Sequence, residues 1–351
     1  MSSTMFGVVV APLLVVLTLQ SSTNPCGPKS KSCCNPTITP PQLCPGGIPC
    51  QPCGGSIACE CPSAPAPSPH VPPPPKSNTR LTVVNACNNG PIWIAHIVGG
   101  AVGPDPQDVI IGPGDNASFH TGLHGGGLSA TRFWPKTGCD ASGSNCSIGS
   151  SGGPGEGCVV RVPGRPDDYS HCAPPFDTKF EATFAAQGSS AMDVVDMSLV
   201  DGYTLPFKLE VSGGRCIRQG LAFDGMDCSR LSLDHCPQKE MLDNKVMSLD
   251  GHNPKTGKLA GCYSPCMKLT DDKWNKNGTS VAPDSAAAGQ YCCAGAWGSP
   301  AACKAGAILK TNYVKSVKAV CPEAYSFAYD DKSATIACTT TTKYTVTFYC
   351  V

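Results

Sequence analysis

The stretch Ala191–Val211, AMDVVDMSLVDGYTLPFKLEV, contains two apolar, strand-like runs separated by a turn signal at Asp201-Gly202. Two carboxylates, Asp196 and Asp201, interrupt the first run, and a third, Glu181, lies just upstream in KFEATF. A carboxylate that loses its water costs free energy, so acidic residues are rare in buried strands unless they have a role. We therefore take these three acids as the candidate site and the surrounding strands as the signal for the fold.

Short strand-like runs recur through the last three quarters of the chain. In YTVTFYC, residues 344–350, apolar and polar residues alternate, which predicts a half-buried antiparallel strand. Many such runs separated by Gly- and Pro-rich turns predict an all-β protein, a β-sandwich or a barrel.

The pattern changes between Cys216 and Cys321, where closely spaced cysteines, loops and two helical segments are predicted. One helix is expected near residues 285–297. The other is expected over residues 305–320, with an apolar face made by Ile308, Leu309, Val317 and Val320. This segment is predicted to be a disulfide-tied, partly helical insertion.

The first 77 residues have a different composition. The apolar run over residues 6–19 predicts a secretory signal peptide, assigned to residues 1–22, with an uncleaved membrane anchor as the alternative. Residues 23–62 hold eight cysteines and no aromatic residue, so this Cys-rich segment of unknown function depends on disulfides, which are favoured there over metal ligation. Residues 63–77 are Pro-rich and predict an extended linker.

The cysteine content and the charge limit the functional classes. With 24 cysteines, the chain is predicted to be secreted, to the extracellular space or the cell wall. A formal net charge of zero excludes broad attraction to nucleic acid and does not imply membrane contact. The histidines show no metal-binding spacing, and no cofactor is expected. Three sequons predict glycosylation at Asn116, Asn145 and Asn277.

Seven motifs occur in a specific order along the chain: VVNACNNGPIWIA, FWPKTGC, APPFDTKFEATFA, DVVDMSLVDGYTLPFKLEV, the Cys292-Cys293 pair, CPEAYSFAYDD and YTVTFYC. Together with sixteen cysteines from Cys87 onward, this set resembles the thaumatin-like family over residues 78–351. The resemblance implies a monomer with a β-sandwich over 78–215 and 322–351 and a disulfide-rich insertion of loops and short helices over 216–321.

The resemblance also implies a disulfide pairing that the sequence itself leaves open. The implied pairs are Cys87–Cys350, Cys139–Cys146, Cys158–Cys172, Cys216–Cys338, Cys228–Cys321, Cys236–Cys262, Cys266–Cys292 and Cys293–Cys303.

An acidic cleft built from one arginine and four acidic residues is a further implication of the resemblance. By motif, the acids fall on Glu181, Asp196, Asp201 and Asp330, with Asp331 as a substitute for the last, and the arginine falls on Lys136. Lysine keeps the positive charge but lacks the planar guanidinium fork. The short Cys-Thr-Gly-Asp-Cys signature of plant members is also missing, so the chain resembles a divergent branch.

Paired carboxylates are the groups that glycoside hydrolysis requires, one as acid and one as base or nucleophile. We expect Glu181 to be the acid, paired with Asp196 or Asp201. Since Asp196 and Asp201 are five residues apart, both reach one cleft only if the strand bends or ends near residues 198–200. The structural alternatives are a simple turn at Asp201-Gly202 and an Asp196 that hydrogen-bonds backbone.

The resemblance implies binding of β-1,3-glucan or a related wall polysaccharide, with weak endo-β-1,3-glucanase activity, in a defence, antifungal or wall-remodelling role. The alternatives are a non-enzymatic antifungal protein that perturbs membranes and an inhibitor of foreign hydrolases. Trp93, Trp134 and Tyr203 are further candidates for sugar contacts, but ordinary burial tendencies favour a place in the core.

Overall fold

A computed structural model of the chain describes residues 78–149, 152–168, 172, 176–275 and 280–350. The predicted signal peptide, Cys-rich segment and linker lie outside these residues, and so does Asn277. Within this part of the chain no helix is both long and apolar enough to cross a membrane.

The smaller of the two main sheets joins the two ends of the domain. Strands are numbered in chain order. This sheet runs in the spatial order β13 (Gly225–Cys228), β10 (Phe207–Ser212), β19 (Lys343–Phe348), β1 (Leu81–Asn85) and β4 (Asn116–Phe119). The pair β1–β19 is parallel, and the other pairs are antiparallel. The alternation predicted for YTVTFYC is present, since Tyr344, Val346 and Phe348 are fully buried.

The larger sheet carries the three acids of the opening stretch. Its order is β12 (Leu221–Phe223), β11 (Cys216–Arg218), β18 (Ile336–Cys338), β8 (Asp193–Ser198), β7 (Lys179–Phe184), β6 (Gly126–Thr137), β2 (Ile92–Val98) and β3 (Val109–Ile111), with β5 (Gly122–Leu123) paired to β6. The predicted insertion boundary at residue 216 is too early, because β11, β12 and β13 still belong to the two main sheets.

Aromatic side chains from the two sheets meet in one core. Phe119 of β4 packs edge-on against Phe133 of β6, with 5.3 Å between the ring centroids. Tyr344 of β19 contacts Phe180 and Phe184 of β7 at 6.0 and 5.7 Å. Edge-to-face and tilted contacts of this kind add to the stabilisation from apolar burial. The all-β sandwich expected from the sequence is therefore confirmed.

A buried ion pair also links the sheets. Arg80, just before β1, pairs with Asp193 of β8, and both side chains are buried. Tyr344 Oη donates a hydrogen bond of 2.7 Å to Asp193 Oδ2, and the backbone N–H of Ala185 donates one of 2.8 Å to Asp193 Oδ1. Arg80 Nη1 also donates to the carbonyl oxygen of Thr342. Both charges are thus compensated where water is excluded, which is the condition for a buried pair to persist.

The remaining described elements lie mainly between β13 and β18. They comprise the hairpin β14 (Glu240–Leu242) and β15 (Lys245–Met247), the sheet β16 (Asp250–His252), β17 (Leu259–Tyr263) and β9 (Gly202–Tyr203), and the helices α1 (Pro265–Thr270), α2 (Gly289–Cys292), α3 (Pro300–Ala305), α4 (Asn312–Val320) and α5 (Asp331–Ala334). Short 3₁₀ turns span Leu233–His235, Gly295–Trp297 and Ile308–Lys310.

Both predicted helices are shorter than expected. The first is reduced to α2 because Cys293 adopts a left-handed conformation with φ 55°. The adjacent residues Cys292 and Cys293 bond to α1 and α3, respectively, so the chain must turn between them. The second begins only at Asn312, where the Thr311 hydroxyl caps the helix.

The predicted apolar face of the second helix is also partly wrong. Tyr313, Val314 and Val317 are buried, whereas Leu309 precedes the helix and is 40% exposed.

The disulfides connect the sheets to the insertion. Among the described residues, the eight pairs are the eight that the resemblance implies. Cys87–Cys350 closes a loop of 263 residues next to the β1–β19 pair. In the chain-entropy account, closing so long a loop contributes about 5–6 kcal/mol by restricting the unfolded chain.

The buried pair gives a stability prediction. Asp193→Ala leaves the Arg80 charge buried without its carboxylate, which typically costs about 3–5 kcal/mol. We expect a loss of this size in the free energy of unfolding, measured by denaturant titration with the disulfides intact. The matched control is Glu210→Ala, which breaks the solvent-exposed Lys208–Glu210 pair and should leave stability almost unchanged. Equal effects of the two substitutions would contradict the role assigned to Asp193.

Candidate functional site

The outer face of the larger sheet, which points away from the sandwich core, carries the candidate site. Glu181 of β7 lies directly opposite Asp196 of β8, and Arg132 of β6 lies opposite Glu181 on its other side. The neighbouring residues Phe180 and Met197 point into the core. Three adjacent strands therefore place a guanidinium and two carboxylates in one row.

The two carboxylates have different surroundings. Arg132 Nε lies 2.5 Å from Glu181 Oε1. Asp196 Oδ1 is buried, and no described residue gives it a hydrogen bond. Burial, and then the negative charge of Glu181, raise the pKa of Asp196 well above its usual range, while Arg132 acts in the opposite direction. The pair thus combines a carboxylate held by a guanidinium with one that is easier to protonate than an ordinary aspartate.

This geometry reverses the roles expected from the sequence. Glu181, expected to be the acid, is the residue in the direct ion pair with Arg132. Asp196, expected to be its partner, is the more desolvated of the two and has the raised pKa. Asp196 is therefore the better candidate for the proton donor, and Glu181 for the base or nucleophile.

Asp331 and Tyr325 extend the site on the side of β8. The charge of Asp331 is one of the causes that raise the pKa of Asp196. Tyr325 Oη donates a hydrogen bond of 2.9 Å to Asp331 Oδ1 and lies 2.5 Å from Thr335 Oγ1. Burial, together with the charges of Asp196 and Asp331, raises the pKa of Tyr325, so it remains a neutral phenol.

Asp330 does not belong to this site, contrary to the expectation from the motif. Its side chain is buried, and its Oδ2 atom accepts hydrogen bonds of 3.1 Å from both the backbone N–H and the hydroxyl of Ser326. Lys318 Nζ lies 2.5 Å from the same oxygen. Asp330 is the residue before α5 and turns inward, whereas Asp331 begins the helix and is exposed, so Asp331 is the acid near Asp196.

Asp201 reaches the outer face because β8 ends at Ser198. Its Oδ2 atom accepts a hydrogen bond of 3.0 Å from Lys179 Nζ, and Lys179 stands two residues from Glu181 on the same face of β7. The condition set by the five-residue spacing is thus met. We call Glu181, Asp196, Asp201 and Asp331, together with Arg132, the acidic cluster.

Lys136 lies elsewhere, so its assignment as the cation of the cleft is wrong. Its side chain is 1% exposed, and its Nζ atom lies 2.6 Å from Asp108 Oδ1 and 2.5 Å from Glu156 Oε2. It also donates a hydrogen bond of 2.7 Å to the carbonyl oxygen of Gly143. Lys136 is four residues beyond Arg132 on β6, about 13 Å along the strand. Arg132 occupies the place beside Glu181 that had been assigned to Lys136.

The loops that follow β6 explain why Lys136 is buried. At Gly149, with φ 76°, a Cβ atom would lie 2.3 Å from the carbonyl oxygen of Pro135 and 3.1 Å from Cα of Lys136. This loop therefore packs directly on the end of β6 and excludes water from it. Lys136 has a structural role, since it holds β6, the Asp108 loop and the Glu156 loop together.

Three aromatic residues considered as sugar contacts are buried. Trp93, Trp134 and Tyr203 are 7, 3 and 1% exposed, so burial rather than an open sugar-binding surface accounts for them. Tyr203 belongs to the hydrophobic core, whereas Trp93 shares the outer face with Lys136. The described part of the chain contains no group of three or more histidine, cysteine or acidic side chains that could hold a metal ion. Asn116 is exposed at the start of β4, and Asn145 donates a hydrogen bond of 2.8 Å to Asp140 Oδ2, while glycosylation at either remains a prediction.

The comparisons with known proteins agree with this architecture. The fold and site define a disulfide-stabilised β-sandwich with an acidic cluster on the outer face of its larger sheet. Residues 85–350 match the model of the Thaumatin family, and the chain belongs to that family.

Curated relatives support the assignment over most of this region. Thaumatin-like protein 1 of Pyrus pyrifolia is 30% identical over 276 residues, which cover 77% of this chain and 91% of the relative. Pathogenesis-related protein 5 of Arabidopsis thaliana is 33% identical over 222 residues, covering 62 and 70%. A Prunus avium protein named glucan endo-1,3-beta-glucosidase is 30% identical over 226 residues, also covering 62 and 70%.

The Lys136 network gives a prediction for the pH dependence of stability. Burial raises the pKa of Glu156 from 4.5 to about 7, with Lys136 opposing the shift. The folded protein therefore holds this proton more tightly than the unfolded chain, and the free energy of unfolding should fall as pH rises from about 4.5 to about 7. Glu156→Gln removes this titrating group. The free energy of unfolding of the variant should therefore fall less between about pH 4.5 and 7 than that of the wild type.

Urea unfolding at intervals between pH 4.5 and 7.5 measures the difference in slope. Glu210→Gln, on an exposed position of β10, is the control and should keep the wild-type slope. An unchanged slope in Glu156→Gln would contradict the assignment.

Proposed function

We propose that this protein is secreted and binds β-1,3-glucan or a related wall polysaccharide at the acidic cluster, with weak endo-β-1,3-glucanase activity. The observation that carries the proposal is the pairing of Glu181 with Asp196 beside Arg132. Family membership adds support, since a relative that is 30% identical over 226 residues bears the name glucan endo-1,3-beta-glucosidase.

Hydrolysis of a glycosidic bond needs a proton on the leaving oxygen and a nucleophile at the anomeric carbon. In the proposed reaction Asp196 donates its proton to the glycosidic oxygen as the bond to the anomeric carbon breaks. Glu181 attacks that carbon and forms a glycosyl ester. Asp196 then takes a proton from water, which attacks the ester, so both side chains return to their starting states.

The register supports the version with a covalent intermediate. Residues directly opposite in an antiparallel pair have Cβ atoms about 4.5–5.5 Å apart. Carboxyl groups about 5–5.5 Å apart suit retention of configuration, whereas inverting enzymes need about 6.5–9.5 Å to admit a water molecule. Glu181 and Asp196 are such a directly opposed pair, and their side chains extend from the same face of the sheet. Their carboxyl groups therefore fit the separation of about 5–5.5 Å that suits retention.

The neighbouring groups suit the binding of sugar hydroxyls. Arg132 is 52% exposed and retains donors beyond the Nε atom that faces Glu181. Asp331 is exposed and keeps acceptor capacity beyond the hydrogen bond from Tyr325. A polysaccharide on the outer face would therefore meet both donors and acceptors along the row.

The disulfides support the proposed secretion. Eight cross-links within the described part of residues 78–350 are typical of proteins that mature in an oxidising compartment. A defence or wall-remodelling role is the setting that fits a secreted glucan-binding protein.

The first test compares the wild type with Glu181→Gln and Asp196→Asn. Both variants keep the side-chain volume but lose the nucleophile or the acid, so we expect release of reducing sugar from β-1,3-glucan to fall by about 100-fold or more. Retention on insoluble glucan should remain within a few-fold of wild type. Glu210→Gln, a carboxylate on the smaller sheet, is the matched control and should change neither property.

The outcomes separate the possible functions. Binding without sugar release in the wild type would refute the hydrolytic step and leave a glucan-binding protein. Absence of both would refute the proposal and favour inhibition of foreign hydrolases or action on membranes.

Arg132 gives a second test, through the pH profile. Arg132 lowers the pKa of Asp196, against the larger effects of burial and Glu181. Removing its charge in Arg132→Gln should raise the pKa further, so Asp196 remains protonated to higher pH. We therefore expect the alkaline limb of kcat against pH to move to higher pH. Lys208→Gln, on the smaller sheet, is the control and should leave the limb in place; a shift to lower pH in Arg132→Gln would contradict the assignment of Asp196 as the acid.

A further inference from the structure

Two neighbouring pockets share a wall where the insertion meets the loops that follow β6. One has a volume of about 440 Å³ and the other about 350 Å³, both within the range of roughly 300–1,000 Å³ that small-molecule sites occupy. Asn253, Pro254 and Trp274 line both pockets, and no residue of the acidic cluster lines either. We call the two pockets together the basic groove; its charged and aromatic lining residues include His252, Lys255, Tyr263, Lys268, Lys273 and Trp274.

Asp271 builds the loop that carries Trp274. Its Oδ1 atom accepts a hydrogen bond of 2.7 Å from the backbone N–H of Lys273, and its Oδ2 atom accepts bonds of 3.1 and 3.0 Å from those of Trp274 and Asn275. Tyr263 Oη donates a further bond of 2.5 Å to Oδ2. The buried carboxylate is therefore fully used in fixing the loop, and Lys273 and Trp274 are held in place before any ligand binds.

Two ammonium groups in the groove, those of Lys268 and Lys273, form no direct ion pair with a described residue. Lys268 Nζ lies 5.1 Å from the centroid of the Tyr263 ring, and neither it nor Lys273 Nζ forms a hydrogen bond or ion pair with any described residue. Burial lowers the pKa of Lys268, while the charges of Asp250 and Asp271 oppose that shift. A half-buried ammonium over an aromatic face gains when an anion binds next to it.

The two acidic groups that line the groove are outnumbered by its three lysines. Glu156 pairs with Lys136, and Asp250 accepts a hydrogen bond of 2.7 Å from Gln238 Nε2. Lys255 Nζ is held by Asn145 Oδ1 at 2.5 Å and adds a third positive charge. The lining thus has an excess of positive charge, although the whole chain is neutral.

We propose that the basic groove binds an acidic saccharide, a chain whose sugars carry uronic acid carboxylates. Lys268 and Lys273 would pair with the carboxylates, as lysine does with compact anions. The partly exposed indole of Trp274, which lines both pockets, offers an apolar surface for the face of a sugar ring. This site is separate from the acidic cluster and does not depend on the proposed glucanase activity.

Isothermal titration of the full chain with trigalacturonate and with the neutral laminaritriose tests the proposal. We expect trigalacturonate to bind, and Lys268→Gln, Lys273→Gln and Trp274→Ala each to weaken the affinity by about ten-fold, the effect of one charge-assisted hydrogen bond or one aromatic contact. Lys304→Gln, an exposed lysine of α3 outside the groove, is the matched control, and Glu181→Gln serves as the control for the acidic cluster. Neither should alter the affinity.

Several results would overturn the proposal. These are no binding of trigalacturonate by the wild type, equal loss in Lys304→Gln, loss in Glu181→Gln, or equal binding of a polyglutamate of the same charge. Stronger binding of laminaritriose, weakened by the groove substitutions, would equally refute the acidic character of the ligand. Trp274→Phe keeps an aromatic face and should restore most of the affinity lost in Trp274→Ala, which separates ring contact from a folding defect. Raising the salt concentration should weaken trigalacturonate binding, because partly exposed charges are screened.

Discussion

The antiparallel register between β7 and β8 is the constraint on which both the core and the site depend. Phe180 opposes Met197 inside the sandwich, and Glu181 opposes Asp196 on the outer face. Since side chains alternate along a strand, a slip of one residue would exchange the two faces. It would expose apolar side chains worth about 1.5–3 kcal/mol each and bury two carboxylates at a larger cost. The packing that stabilises the sandwich therefore also holds the candidate pair together.

The two cations of β6 show how solvent access decides the role of a charge. Arg132 lies where the outer face is open, so it can serve Glu181 and also remain available to a ligand. Lys136 lies on the same face of the strand, but loops cover it there. Its ammonium group forms ion pairs with Asp108 and Glu156. Solvent access thus decides which charged groups of a strand can reach a ligand. Two sites of opposite charge are consistent with a chain whose net charge is zero.

The local signals in the sequence were strongest where one face of a strand is buried. KFEATF, DVVDMS and YTVTFYC form strands close to the predicted bounds, because their alternation records which side chains meet the core. The first helix was predicted too long, because the bonds of Cys292 and Cys293 to two different helices are invisible to helical periodicity. The second was predicted too long because residues 308–310 form a separate 3₁₀ turn before the Thr311 cap. The cation of the site was misplaced for a related reason. Arg132 and Lys136 have the same parity on β6, so alternation alone cannot distinguish the residue beside Glu181 from the one beneath the loops.

By itself, the sequence determined the all-β class, the resemblance to the thaumatin-like family, and the acids Glu181, Asp196 and Asp201 as candidates. These follow from alternation and from ordered motifs, which are local properties of the chain. Only the tertiary structure decided that Arg132 and Asp331 join them, that Lys136 and Asp330 do not, and that Asp196 rather than Glu181 suits the proton donor. Those assignments depend on register between strands, on the loops that exclude water and on the charges brought close in space. None of these quantities is a property of sequence neighbours.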